Sequence, residues 1–76
     1  MNPSPELVAI VGLGYVGLPL SLQFARSGVS VLGLDIDSAK VDALTARKSY
    51  IKHITDEAIA EQVDSGRLEV STEFAR

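Results

Sequence analysis

Seventy-six residues carrying a formal net charge of −3, with 46% of them hydrophobic, allow one small domain. Its core is thin, because a chain of this size buries only about 60–65% of the surface its unfolded form exposes. The mild acidity and lack of a basic stripe argue against nucleic acid or an anionic membrane surface as partner, and with no cysteine disulfides, thiolate metal sites and thiol nucleophiles are excluded.

The opening "MNPSPEL" has no positive flank, and the apolar stretch after it is far too short to span a bilayer. Residues 1–6 therefore read as a flexible lead-in, and the expectation is a soluble, cytoplasmic protein. "ELVAIVG" (Glu6 to Gly12) is a nearly continuous apolar run ended by glycine, which predicts a strand buried on both faces, as in parallel sheets.

From Tyr15 to Ser27, Val16, Leu20 and Phe24 recur at helical spacing, with Leu18, Leu22 and Ala25 widening the stripe and Gly28 as C-terminal cap. Pro19 falls early enough to cost at most one intrahelical donor. "VSVLGLD" (Val29 to Asp35) is a second buried-strand pattern. Asp37 or Ser38 can cap a helix over roughly residues 39–47, with Val41 and Leu44 facing inward.

"KSYIKHI" (Lys48 to Ile54) fits neither period and is expected to be a loop, with Tyr50 and Ile51 as its anchors on the sheet edge and His53 without a task. Thr55 can cap a further helix whose first turn holds Asp56 and Glu57, favourable against the helix dipole. Ala60, Val63 and Ile59 supply its inner face, Gly66 ends it, and "RLEVST" (Arg67 to Thr72) alternates like a strand. The order β-α-β-α-α-β with right-handed crossovers predicts a three-stranded parallel sheet covered by helices, half of a Rossmann doubly wound fold.

The turn Gly12-Leu13-Gly14-Tyr15-Val16-Gly17 fits G-x-G-x-x-G. Alone this is a weak signal, but here it follows a strand, opens a helix, and has an acidic residue, Asp35, ending the next strand at the spacing of a dinucleotide fingerprint. Gly12 allows the sharp turn, Gly14 clears space for a pyrophosphate against the backbone, and Gly17 lets the helix pack on the sheet. Free N–H groups near Tyr15 and Val16, at the positive end of the helix dipole, suit phosphates. The Asp35 carboxylate suits ribose hydroxyls and repels a 2′-phosphate, which favours NAD over NADP. Lys40, one turn into the following helix, is either a contact to the adenosine half or a solvated lysine, and Asp37 reads as a plain cap.

The stretch "VAIVGLGYVGLPLSLQFARSGVSVLGLDIDSAKVDAL", with its "GLGYVGLPL" string, its "GLDID" and the lysine-valine that follows, resembles the N-terminal NAD-binding segment of the UDP-glucose/GDP-mannose dehydrogenase family. The resemblance extends from Leu7 to near the end of the chain. "KSYIKHI" followed by "GRLEVST" is more similar to the branch acting on UDP-N-acetylhexosamines, UDP-N-acetylglucosamine 6-dehydrogenases above all. It implies oxidation of a nucleotide sugar's C6 alcohol to a carboxylate with two NAD⁺, through a cysteine-bound thiohemiacetal. It also implies a pyrophosphate cradle of Gly12, Leu13, Gly14, Tyr15, Val16 and Gly17, with Asp35 on the adenosine ribose and Lys40 beside it.

The family's cysteine, catalytic lysine and sugar pocket lie downstream of such a segment. The expectation is therefore that residues 7–76 are a partial NAD-binding domain of a longer enzyme, inactive alone, whose UDP-sugar is bound elsewhere. The first strand is then an open sheet edge, suited to a homodimer. Two alternatives are the opening segment of a 3-hydroxyacid dehydrogenase, against which "GYVGLPL" argues, and a non-catalytic nucleotide-binding or oligomerising module.

Overall fold

The computed structural model describes residues 7–74; the lead-in at residues 1–6 lies outside the described residues. Six elements follow in the expected order: β1 (Leu7–Val11), α1 (Gly17–Arg26), β2 (Ser30–Leu34), α2 (Ser38–Thr45), α3 (Asp56–Asp64) and β3 (Leu68–Ser71). The strands form one parallel sheet ordered β1-β2-β3, so β1 is an edge. No helix among the described residues is long and apolar enough to cross a membrane.

Local chemistry sets the boundaries. The Asp37 side chain caps α2 by accepting from the Ala39 N–H at 2.9 Å, and Thr55 caps α3 by accepting from the Ala58 N–H at 3.1 Å. Gly28 and Gly66 follow α1 and α3 in the left-handed conformation, at φ +95° and +83°, where a side chain would be strained.

Both crossovers advance the same way along the sheet, and their shared right-handedness places the helices on one face. The register aligns Val8, Val31 and Leu68 in one row and Ile10, Gly33 and Val70 in the next. These rows meet a core of Leu13, Leu18, Leu22, Ala25, Leu44, Ile51 and Ile59.

Two expectations need correction. The first strand is not buried on both faces among the described residues: Ile10 is buried, whereas Leu7 and Val11 are each 68% exposed, because alternate positions of a strand point to opposite faces. The helical stripe of α1 is also rotated. Leu18, Ser21, Leu22 and Ala25 are its buried residues, while Val16 and Leu20 are exposed and Phe24 only packs against the core margin. In α3, Ile59 and Gln62 are buried, with Val63 at the margin.

Candidate functional site

The three glycines of the turn are there for three different reasons. Gly12 has φ +92°, a backbone state that side chains other than glycine adopt only under strain. It leaves β1 still bonded to the sheet, donating to the Leu34 carbonyl at 2.7 Å. Gly17 is required by space: a Cβ there would lie 1.7 Å from the Gly12 carbonyl oxygen and 2.9 Å from its carbon. The start of α1 therefore touches the turn's own backbone.

Gly14 has neither reason. Its φ is not positive and a Cβ would meet nothing within 4 Å. Nothing in the chain's own packing demands glycine at this position, and the space above it is open.

Leu13, between the first two glycines, is held on every side. Its side chain is 0% exposed and lies over Gly33, where an added Cβ would come within 2.8 Å of it. Its N–H donates to Asp35 Oδ2 at 2.8 Å, and its carbonyl accepts from the Tyr50 hydroxyl at 2.6 Å.

Asp35 directly follows β2 with both oxygens engaged, since Oδ1 accepts from the Asp37 N–H at 2.8 Å. Each carboxylate oxygen keeps further acceptor capacity. The Leu13 and Asp37 N–H bonds hold this carboxyl below the ordinary aspartate range; burial opposes them and the Lys40 charge assists. Asp35 is therefore an anion throughout the neutral range, 8% exposed, joined directly to the glycine turn. Lys40 is half-buried on α2, with its charge felt at Asp35.

Among the described residues the N–H groups of Gly14, Tyr15 and Val16 have no hydrogen-bond acceptor. The first intrahelical bonds are Leu18 N–H to the Gly14 carbonyl at 3.1 Å and Leu20 N–H to the Val16 carbonyl at 3.2 Å. Tyr15 and Val16 are 77% and 79% exposed, and no acidic residue stands in the first turn of α1. Unpaired donors and the positive end of the helix dipole thus face open space above Gly14, an arrangement suited to a phosphate-bearing ligand. The residues present fit a dinucleotide's diphosphate, with an acceptor for a ribose diol at Asp35.

The structure brings Gly12, Leu13, Gly14, Tyr15, Val16, Gly17 and Asp35 into one site, with Lys40 at its margin. Tyr50 joins them. The sequence marks it only as a loop anchor, and its attachment point turns out to be the glycine turn. Ile51 beside it is 3% exposed in the core, which fixes the loop that carries Tyr50.

The model of the UDP-glucose/GDP-mannose dehydrogenase family, NAD binding domain, matches residues 6–76. UDP-N-acetyl-D-mannosamine dehydrogenase of Pyrococcus horikoshii is 35% identical over 65 residues, which is 84% of this chain and 16% of that protein. GDP-mannose 6-dehydrogenase of Pseudomonas putida is 38% identical over 69 residues, 90% of this chain and 16% of that one. The solved UDP-N-acetyl-mannosamine dehydrogenase of Staphylococcus aureus superposes with a TM-score of 0.83 at 43% identity, over 88% of this chain and 16% of that chain. The chain thus spans 16% of the length of each of these relatives.

Proposed function

This chain belongs to the UDP-glucose/GDP-mannose dehydrogenase family, whose NAD binding domain it matches, and from that premise we propose how it grips the cofactor and what the whole protein oxidises. The Gly14, Tyr15 and Val16 N–H groups hold the pyrophosphate. Gly12 and Gly17 shape the turn around it, Leu13 anchors that turn, Asp35 accepts from the adenosine ribose diol, and Lys40 flanks the adenosine half. The supporting observation is Gly14, a glycine without an internal reason, set beneath unpaired donors at a helix start.

NAD, when bound, supplies the hydride acceptor. The chain's own groups bind and orient it, and the Asp35 anion opposes a 2′-phosphate, an unfavourable interaction of about 1–4 kcal/mol at contact range. Calorimetry on this chain tests the assignment. Heat with NAD⁺ and ADP-ribose and at least about fivefold weaker binding of 2′-phospho-ADP-ribose is the expected pattern; equal affinities, or no heat with any of them, overturn it.

For the whole protein we propose a nucleotide-sugar 6-dehydrogenase that carries a UDP-N-acetylhexosamine from C6 alcohol to carboxylate, transferring two hydrides to two NAD⁺. Residues 7–76 form the first half of its dinucleotide domain. The names of the P. horikoshii and S. aureus relatives support the acetamido sugar class, and the "KSYIKHI" segment inclines the choice to UDP-N-acetylglucosamine. Assaying the longer protein with UDP-N-acetylglucosamine, UDP-N-acetylmannosamine and GDP-mannose decides it. Turnover of GDP-mannose alone refutes the proposal.

A further inference from the structure

Tyr50 stands 37 positions from Leu13 in sequence, on the loop between α2 and α3, yet its hydroxyl bonds the Leu13 carbonyl at 2.6 Å. The bond matters because of where the peptide plane leads. Leu13 O and the Gly14 N–H belong to one peptide group, and no peptide among the described residues is cis. In a planar trans peptide the two point in opposite directions. Fixing the carbonyl on Tyr50 therefore aims the Gly14 N–H away from the loop, and that N–H is one of the unpaired donors of the site.

A turn with glycines at positions 12 and 14 gains clearance at the cost of order, since glycine's backbone has the widest range of states. Two clamps restore the order. The Leu13 N–H on Asp35 fixes the Gly12–Leu13 peptide, and Tyr50 fixes the Leu13–Gly14 peptide. Tyr50 is suited to the task over a wide pH range. Burial, followed by the nearby Asp35 and Asp37 charges, pushes its pKa up to about 12, so the hydroxyl keeps its proton.

We propose that Tyr50 is a positioning residue for dinucleotide binding: its hydroxyl orients the Gly14 N–H toward the pyrophosphate without touching the ligand. This rests on residues 12–17 being the pyrophosphate turn. The test is Tyr50→Phe in this chain, which keeps the ring and removes only the donor, with ADP-ribose as the probe. Measurements are made well below the melting temperature of both proteins, so that a general loss of stability does not register as weaker binding.

The Gly14 amide resonance of the variant is expected to shift. ADP-ribose affinity is expected to fall about fivefold to tenfold, the net worth of one hydrogen bond. An unchanged Gly14 amide overturns the proposal, as does a changed amide with unchanged affinity, which reduces Tyr50 to a structural tie. If wild type fails to bind ADP-ribose, the pyrophosphate reading has failed and the positioning role falls with it; the amide result still separates the two failures. A second readout needs no substitution: exchange of the Tyr50 hydroxyl proton, followed through the deuterium isotope shift on Cζ. Slow exchange supports the bond to Leu13, and averaging as fast as at the exposed Tyr15 overturns it.

Discussion

Replacing Gly17 by alanine places a Cβ 1.7 Å from the Gly12 carbonyl oxygen. An unstrained carbon–oxygen contact needs about 3.3 Å, so the start of α1 and the turn must separate by roughly 1.6 Å. Gly12 also donates to Leu34 at 2.7 Å, and Leu13 is tied to Asp35 and Tyr50. A displacement of that size breaks one or more of these bonds, at about 1 kcal/mol each, and adds overpacking of about 1–3 kcal/mol. Helix propensity returns about 1 kcal/mol. The net loss is about 1–3 kcal/mol for one broken bond and about 2–4 kcal/mol for two, against the roughly 4–11 kcal/mol expected for a domain of 76 residues. Urea unfolding followed by far-ultraviolet circular dichroism reads it directly. With a slope near 1 kcal/mol per molar urea, the midpoint should fall by about 1 M or more. A midpoint equal to or above wild type would show that the turn yields freely, and the reasoning about Gly17 would be wrong.

Gly14→Ala is the complementary experiment. With nothing within 4 Å of its Cβ, it should leave the urea midpoint unchanged or raise stability by about 0.4–1 kcal/mol, while ADP-ribose affinity drops at least about tenfold as the methyl fills the space over the turn. Acid unfolding should show the Asp35 signature. A folded-state pKa below the unfolded value means that its contribution is present above the unfolded pKa and disappears as pH falls through the folded one. Wild type should therefore lose more stability than Asp35→Asn as the pH falls below about 4, and parallel acid curves would contradict this. We propose further that the β1 edge, with Leu7 and Val11 exposed, pairs with a second copy. Sedimentation should give a mass that rises with concentration, and a monomer at every concentration refutes the pairing.

Much of this architecture is legible in the sequence because it is local. The glycine turn, the Asp37 and Thr55 caps and the positive-φ stops at Gly28 and Gly66 each depend on a few neighbouring residues. What the sequence does not carry depends on distant parts. An apolar run such as "LVAIV" tells what a strand can bury, whereas what covers it is set by the topology, and here both crossovers lie on one side. The rotation of α1 was illegible for a similar reason. Val16, Leu20 and Phe24 have helical spacing just as Leu18, Ser21, Leu22 and Ala25 do, and with three apolar residues in each set the apolar count does not choose between them. The choice is made by the Gly17 contact with the Gly12 carbonyl, and Ser21 tolerates burial by donating to the Gly17 carbonyl at 2.7 Å. Of the site, the turn and Asp35 were readable from motif spacing. The Tyr50 bond was not, since a loop without periodicity carries no signal of where its side chains end.

An amide-resolved titration of the 76-residue chain with ADP-ribose tests the central claim most directly. The Gly14, Tyr15 and Val16 amides should move together and saturate with a single affinity, with Asp35 following. Saturating shifts that spare these amides, or no shifts at millimolar ligand, would contradict the assignment of this turn to a dinucleotide's pyrophosphate.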